Sequence, residues 1–156
     1  EHPTMKAIAF VGAKNAAALP FEGDLSGISA NVDSIIPAFA KFGIPAAVAT
    51  DDGSAGYRGF VTERLATWLE EQKDRSPKDT ILYACGPEPM LAAVARIAEQ
   101  RDIDCQVSME RRMACGIGLC QSCAVECRIE GSQETVYKLC CQDGPVFDAR
   151  DVVFGE

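Results

Sequence analysis

Four cysteines in the last third of the chain have a spacing that could support redox chemistry. Cys115, Cys120 and Cys123 form a C-x4-C-x2-C sequence, and a fourth cysteine follows after a hairpin-length insert. This is the plant-type ligand spacing of a [2Fe-2S] cluster, in which four thiolates hold two irons. Because such a cluster accepts one electron at a time, the pattern predicts a chain that transfers electrons.

The identity of the fourth ligand is left open by spacing alone, because Cys140 and Cys141 are adjacent. Two glycines inside the C-x4-C loop let the backbone curl tightly, so that its N–H groups can point at the cluster sulfurs. Within the motif, Cys120 and Cys123 are predicted to bind one iron from a single turn.

Two other uses of these cysteines are weighed against the cluster. One is a structural zinc site with the same four thiolates. The other is a sensor in which Cys120 and Cys123 cycle between dithiol and disulfide. Structural zinc usually takes paired C-x2-C knuckles, and this chain has one such pair, so the spacing favours iron. Cys105 and Cys127 are expected to be small buried hydrophobes.

Composition limits the partners and the compartment. The 156 residues include 15 Lys+Arg and 23 Asp+Glu, a net charge of -8, which would repel nucleic-acid phosphates and anionic membrane surfaces. No apolar run reaches the roughly 18 residues that suggest a spanning helix. Every cysteine except Cys85 falls between Cys105 and Cys141 in ligand-like spacing. We therefore expect thiolates in a reducing, cytoplasmic setting, with neither nucleic acid nor membrane as partner.

The sequence before the cysteines alternates between strand and helix patterns, and the elements that they predict must position the reactive residues. Apolar runs that end in glycine or small polar residues predict strands buried on both faces at 6–11, 44–50 and 81–85. Helical periodicity predicts helices from Gly59, from Pro89 and over Asn31–Phe42. The alternation indicates an α/β fold with a Rossmann-like parallel sheet, assigned to a domain at 1–107.

The composition changes near residue 108, where glycine and cysteine become dense and helical periodicity stops. Two short strands are predicted at 124–129 and 135–140. These features predict a small, β-rich [2Fe-2S] domain at 108–156, held together in part by its cluster.

Glycines and small polar residues at the strand ends are candidates for a nucleotide site, because ligands of open α/β sheets bind outside the carboxyl ends of the strands. Carboxylates there accept hydrogen bonds from ribose hydroxyls and repel a 2′-phosphate, which favours NADH over NADPH. The alternative is that Asp-Asp-Gly-Ser is an ordinary exposed turn. The candidate cofactor-binding residues are Gly12, Thr50, Asp51, Asp52, Gly53, Cys85, Gly86 and Pro87.

No catalytic side chain is assigned. Cys85 has no basic neighbour in sequence, so we expect a buried, inert thiol close to the ligand. His2 is the one histidine and lies at the extreme terminus, so histidine-based catalysis is not expected.

Two segments resemble a known family. Tyr83-Ala-Cys-Gly-Pro-Glu-Pro-Met90 is similar to the C-G-P-x-P-M segment of the ferredoxin-NADP reductase superfamily. The segment from Met109 to Cys123 and the sequence Cys141-Gln-Asp-Gly-Pro-Val-Phe147 resemble the electron-transfer subunit of type B dihydroorotate dehydrogenase. The resemblance runs from about Lys6 to Phe147, and it implies Cys141 as the fourth ligand.

The resemblance also implies a mechanism. NADH passes hydride to FAD, which hands single electrons to the [2Fe-2S] cluster. A catalytic subunit carrying FMN exchanges these electrons during oxidation of dihydroorotate to orotate in pyrimidine synthesis, and the family implies a heterotetramer. The strand-end residues named above would line the dinucleotide site, with Cys85 near the nicotinamide.

The family also has an FAD-binding barrel, which this sequence lacks. We therefore expect a fragment of a longer subunit, with FAD held by a domain absent from the chain, and no NADH-linked activity from the chain alone. Within the superfamily, diaphorase subunits of hydrogenases and glutamate synthase-like reductases stay open. A non-redox zinc-binding interaction module is the alternative from a different class.

Overall fold

The computed structural model describes residues 6–21, 28–31, 36–72 and 76–155. The chain divides into two compact units, an N-terminal unit at Glu1–Lys73 and a C-terminal unit at Asp74–Glu156. This division differs from the predicted domains at 1–107 and 108–156, which stay a prediction. Within the described ranges, no helix combines the length and the apolar character needed to cross a membrane.

The N-terminal unit contains a parallel three-stranded sheet in the order β1-β2-β3. Its elements are β1 (Ala9–Ala13), a 3-10 turn (Ala16–Ala18), α1 (Pro37–Ala40), β2 (Ala46–Thr50), β3 (Tyr57–Arg58) and α2 (Val61–Glu71). The register places Ala13 opposite Thr50, so β1 and β2 end at the same edge. Their carboxyl ends therefore lie side by side.

Burial in the N-terminal unit follows from its apolar runs. All five residues of β2 are buried, as the prediction for this strand required. α2 packs against β1 and β2, with Leu65 and Trp68 buried. The Trp68 ring meets Phe10 of β1 edge to face, with ring centroids 5.6 Å apart. The amphipathic pattern of α2 thus covers the sheet.

The C-terminal unit combines a mixed sheet with a hairpin. Its elements are a 3-10 turn (Pro77–Asp79), β4 (Ile81–Cys85), α3 (Glu88–Gln100), β5 (Asp104–Ser108), β6 (Ala124–Arg128), β7 (Thr135–Leu139) and β8 (Val146–Asp148). The sheet order is β4-β5-β8, with β4 and β5 parallel and β8 antiparallel to β5. β6 and β7 pair antiparallel, and a single bridge joins Cys127 to Val152.

Helix α3 has a clear start and a clear buried face. Pro87 precedes the helix and has the extended backbone that suits an N-terminal boundary. Leu91, Val94 and Ala98 are buried, which is the apolar face that periodicity predicts. The prediction of an α/β fold with parallel strands is confirmed.

Two details of the prediction are wrong. Of the helix predicted over Asn31–Phe42, the described residues show one turn, Pro37–Ala40, and residues 32–35 lie outside the described residues. Ile36 is extended (φ -94°, ψ 124°), because a proline disfavours helical backbone in the residue before it. In addition, β1 and β4 are not buried on both faces as predicted: the residues of β1 are half-buried or exposed, and β4 alternates between exposed and half-buried residues.

Candidate functional site

The four predicted ligand cysteines all lie in the C-terminal unit and come together as two pairs. The sulfur of Cys123 lies 3.4 Å from the sulfur of Cys141. The backbone N–H of Cys120 donates to the sulfur of Cys115 at 3.4 Å. Cys123 is therefore paired with Cys141, and not with Cys120 as predicted. The left-handed backbone of Gln121, at φ +57°, turns the chain between them.

The C-x4-C loop is held against the chain that follows β7. The backbone N–H of Gly118 hydrogen-bonds the sulfur of Cys141. The side-chain amide of Gln142 donates to the carbonyl of Ile117 at 3.2 Å. Gly118 has φ +82°, a backbone conformation that favours glycine, and a Cβ on it would also clash with the Gln142 side chain. These contacts bring the loop and the fourth cysteine together.

The thiols differ in acidity for identifiable reasons. The pKa of Cys120 is lowered to about 6, first by hydrogen bonds from the hydroxyl and backbone of Ser122 and then by Cys115. The pKa of Cys141 is raised, chiefly because it shares a hydrogen bond with Cys123, while the N–H of Gly118 acts in the opposite direction. The lowered pKa of Cys120 favours its thiolate form, which is the form that binds a metal.

Cys140 and Cys141, which spacing alone did not distinguish, have different surroundings. Cys140 is 1% exposed, and its sulfur lies 3.8 Å from the carbonyl oxygen of Met109. Burial raises the pKa of Cys140, followed by the influence of Cys123. The sulfur of Cys141, in contrast, is beside Cys123. The geometry supports Cys141 as the fourth ligand.

The donor set fits a two-iron cluster. In such a cluster each iron takes two protein thiolates and shares bridging sulfides, so four cysteines serve as two pairs. Among the described residues, no group of three or more His, Cys, Asp or Glu side chains is arranged to hold a single metal ion. The two contacts, Cys115 with Cys120 and Cys123 with Cys141, are compatible with one cysteine pair on each iron.

The other cysteines have distinct settings. Cys105 and Cys127 are buried, as predicted, and burial is the first cause of the raised pKa of each thiol. Cys85 is exposed at the end of β4, so the expectation of a buried thiol is wrong. It is exposed because it lies on the solvent-facing side of the alternating strand. His2 lies outside the described residues.

The strand-end residues of the N-terminal unit share one sheet edge. The N–H groups of Asp51 and Asp52 donate to the carbonyls of Ala13 and Lys14, at 3.1 and 3.3 Å. A Cβ on Gly12 would lie 2.8 Å from the Val61 side chain. Gly12 therefore permits close packing of α2 on the end of β1.

In the loop after β2, the polar side chains of Thr50 and Asp52 make hydrogen bonds within the loop itself. The hydroxyl of Thr50 is buried, donates to the carbonyl of Ala55 at 2.7 Å and accepts from its N–H at 3.0 Å. The Asp52 carboxylate accepts from the backbone N–H and hydroxyl of Ser54, which lowers the pKa of Asp52. The Ser54 oxygen also accepts from the N–H of Ala16 at 2.7 Å. Thr50 and Asp52 thus shape the loop, while Asp51 is exposed.

Cys85, Gly86 and Pro87 lie in the C-terminal unit, where they join β4 to α3. A cavity of about 480 Å³ opens beside this loop. Its lining residues are Gly86, Pro87, Glu88, Leu91, Met109, Glu110, Arg111 and Arg112. The predicted candidates therefore belong to two units, with Gly12, Thr50, Asp51, Asp52 and Gly53 in the N-terminal one.

Sequence reasoning missed an ion pair beside the cavity. The guanidinium of Arg111 binds the Glu88 carboxylate through two bonds, at 2.9 and 3.1 Å. Its Nε donates to the carbonyl of Ala124 at 3.4 Å. Arg111 therefore connects the first turn of α3 to the start of β6. The opposite charges are visible in sequence, but their pairing across 23 positions is not.

Ser122 was also missed, although it lies inside the C-x2-C sequence. Its oxygen is 3.1 Å from the sulfur of Cys120, from the N–H of Ala114 and from the carbonyl of Arg112. A serine in a cysteine-rich turn gives no periodic signal, so only the fold reveals these contacts.

Comparison with known proteins agrees with this donor set. The family model for the iron–sulfur cluster binding domain of dihydroorotate dehydrogenase B matches residues 110–153. These residues include all four paired cysteines.

Several curated relatives are named as the electron transfer subunit of dihydroorotate dehydrogenase B (NAD(+)). The protein from Bacillus caldolyticus is 47% identical over 115 residues, which cover 74% of this chain and 40% of the relative. The protein from Caldanaerobacter subterraneus subsp. tengcongensis is 41% identical over 107 residues, 69% of this chain and 40% of the relative. The chain thus spans about 40% of the length of these relatives.

A solved structure is similar to most of this chain. A structure of an NADH-dependent reduced ferredoxin-NADP oxidoreductase, studied for flavin-based electron bifurcation, matches with a TM-score of 0.66 and 26% identity. The match covers 95% of this chain and 45% of that one. The predicted ferredoxin reductase-like fold is confirmed. From the matched cluster domain and these relatives, we conclude that residues 110–153 match the iron–sulfur cluster binding domain of dihydroorotate dehydrogenase B and that the chain is similar to part of its electron transfer subunit.

Proposed function

We propose that this chain is the cluster-carrying part of an NADH-linked electron-transfer subunit that serves dihydroorotate oxidation to orotate. The observation that carries the proposal is the position of four cysteines inside the matched domain, where the Cys120 N–H contacts the Cys115 sulfur and the Cys123 sulfur lies beside that of Cys141. Cys115 with Cys120 would hold one iron, and Cys123 with Cys141 the other. A bound [2Fe-2S] cluster supplies one-electron transfer at this position.

The surroundings of the sulfurs support that role. Backbone N–H groups of Cys120 and Gly118 point at Cys115 and Cys141, and such hydrogen bonds stabilise negative charge on thiolates. Ile117 and Leu119 are 62% and 79% exposed. Exposed apolar side chains beside the thiols form a surface that an electron-transfer partner could cover. The partner we propose is the FMN-containing catalytic subunit, in a heterotetramer within the cytoplasm.

NADH would be bound by the strand-end loops, with Asp51 accepting hydrogen bonds from ribose hydroxyls. Gly12, Thr50, Asp52 and Gly53 would shape this loop. Cys85, Gly86 and Pro87, at the end of β4 in the C-terminal unit, stay sequence-based candidates for nucleotide contacts. Because hydride carries two electrons, FAD bound outside the described residues must divide the pair before single electrons reach the cysteines.

A second candidate is a reductase component of another NADH-linked complex. It is favoured by the structural match to the NADH-dependent reduced ferredoxin-NADP oxidoreductase. The two candidates share the cluster and differ in the electron donor or acceptor that the partner handles.

The test uses a subunit of the relatives' full length, produced together with its catalytic partner. We expect both NADH and dihydroorotate to bleach the visible cluster absorbance under anaerobic conditions, with orotate as the product of the second reaction. Bleaching by NADH without any response to dihydroorotate would favour the second candidate. A complex without cluster absorbance would refute both.

The nucleotide assignment is tested in the same complex. Asp51→Asn should raise KM for NADH about tenfold or more, because a lost hydrogen bond to a charged group costs roughly 1.5–3 kcal/mol, and should affect NADPH less. Ser54→Ala is the matched loop control, since it disturbs Asp52 and leaves Asp51 in place. Equal effects of Asp51→Asn on the two nucleotides would remove the ribose assignment.

A further inference from the structure

The side chain of Ser122 makes three polar contacts within the candidate cluster site. Its oxygen lies 3.1 Å from the backbone nitrogen of Ala114, 3.1 Å from the carbonyl oxygen of Arg112 and 3.1 Å from the sulfur of Cys120. One small side chain thus connects a ligand cysteine to the segment that leads into the C-x4-C loop.

The hydrogen count of this hydroxyl decides what it can do. A serine hydroxyl has one proton to donate and can accept two hydrogen bonds. It accepts from the N–H of Ala114, so its single proton must choose between the Arg112 carbonyl and the Cys120 sulfur. When Cys120 is a metal-bound thiolate, its sulfur can only accept in this contact. The proton therefore has two competing acceptors, and the more negative one attracts it more strongly.

Resting on the proposed function, we propose that Ser122 is a positioning residue that sets the reduction potential of the cluster site through Cys120. Its hydroxyl donates to the Cys120 sulfur and stabilises the negative charge there. That charge increases when one electron is added, so the hydrogen bond favours the reduced form. The hydroxyl keeps its proton throughout, and the electron comes from the flavin in the complex or from dithionite in the test. The contact to Ala114 holds the serine in place.

The test compares Ser122→Thr with Ser122→Val, two side chains of nearly equal shape that differ in the hydroxyl. The measurement is the midpoint potential, obtained by dithionite titration of the full-length subunit and monitored by electron paramagnetic resonance. We expect Ser122→Val to lower the equilibrium constant for reduction about tenfold. For a one-electron couple, this lowers the midpoint potential by about 59 mV. For Ser122→Thr, the equilibrium constant for reduction should stay within about threefold of that of the unchanged protein.

Each outcome decides the proposal. A Val variant with a full cluster and an unchanged potential overturns it, as does a Thr variant shifted as far as Val. If Ser122→Val fails to retain iron while Ser122→Thr retains it, the hydroxyl is required to position the Cys120 ligand, which supports the proposal. If both variants lose iron, the shape of the side chain matters and the hydroxyl does not, which overturns it. Failure of the proposed function is distinguishable, because the unchanged protein would then contain no iron–sulfur cluster.

Discussion

At the scale of residues, the site depends on which way each cysteine sulfur points. Cys140 and Cys141 are adjacent, yet one sulfur is buried beside the Met109 carbonyl and the other lies 3.4 Å from Cys123. The two cysteines lie in the turn that follows β7, and the turn directs their sulfurs to different neighbours, so we expect only Cys141 to join the ligand set. The ligand assignment can therefore be tested by substituting neighbours.

We predict that Cys141→Ser abolishes or severely weakens cluster binding and that Cys140→Ser does not. Serine provides a poorer ligand for iron than thiolate, so loss of Cys141 removes one of four attachments. Iron content and visible absorbance after anaerobic purification are the measurements. Loss of iron from Cys140→Ser with retention by Cys141→Ser would reverse the assignment.

A second residue-scale prediction concerns the two glycines of the C-x4-C loop. Gly116 and Gly118 both have positive φ, +69° and +82°, so alanine at either costs about 1–2 kcal/mol of backbone strain. Only at Gly118 would the new Cβ displace Gln142 and break its hydrogen bond to Ile117. Gly118→Ala should therefore lose iron to a chelator faster than Gly116→Ala. Equal rates would show that the Gln142 contact does not matter.

The ligand cysteines could be predicted from sequence because their spacing is local and reflects the chemistry of iron. Their division into pairs could not, since it depends on the left-handed backbone at Gln121 and on the approach of Cys141 from 18 positions away. Ser122 was missed for the same reason. A hydroxyl with three partners is a property of the folded turn.

At the scale of elements, the C-terminal unit is held together by contacts between segments distant in sequence. Arg111 binds Glu88 of α3 with two hydrogen bonds and reaches the carbonyl of Ala124 at the start of β6. Glu88 lies in the first turn of α3, where the helix dipole favours a negative charge. This pair fixes the position of the cluster segment relative to the loop at Cys85.

We predict that Glu88→Gln lowers the melting temperature by about 2–8 °C. The estimate takes a charge-assisted pair as about 1–2 kcal/mol and about 2–4 °C per kcal/mol for a chain of this size. Asp104→Asn is the matched control, because its pair with Arg150 is exposed and such pairs contribute little. Circular dichroism melts under anaerobic conditions give the comparison. A larger effect at Asp104 would contradict this account of Arg111.

We predict that ionisation of the buried Cys105 thiol in β5 lowers the free energy of unfolding at alkaline pH. Burial, assisted by the charge of Asp148, raises the pKa of this thiol to about 11. Since the folded state resists ionisation, its contribution to stability is complete below pH 9 and is lost as the pH rises to about 11. The loss is at most about 2–3 kcal/mol.

The measurement for Cys105 is the melting temperature between pH 8 and 11. Cys105→Ala should melt lower than the unchanged protein throughout, because it leaves a small cavity, yet its curve should fall less steeply above pH 9. Parallel curves for the two proteins would mean that Cys105 does not carry the alkaline dependence.

Helices and strands could be predicted correctly from sequence where a single local pattern determines the backbone. The periodicity and Pro87 determine α3, and a run of small apolar residues determines β2. Prediction failed where a second rule intervened, as at Pro37, which leaves the residue before it extended. The prediction that β4 is buried on both faces also failed, because one face of this apolar strand is exposed.

At the scale of the whole molecule, the chain is similar to part of the electron transfer subunits of dihydroorotate dehydrogenase B, and the structural match to a reductase covers 95% of it. Because the chain has a net charge of -8, the proposed electron transfer predicts a partner with a complementary basic surface. The exposed side chains of Ile117 and Leu119 are the docking surface that this proposal predicts.

The most direct test of the account is the metal and sulfide content of the anaerobically purified protein, with its electron paramagnetic resonance spectrum after dithionite reduction. The account predicts about two irons and about two acid-labile sulfides per chain, with a one-electron signal from the reduced protein. A colourless protein with about one zinc per chain and no such signal would contradict it.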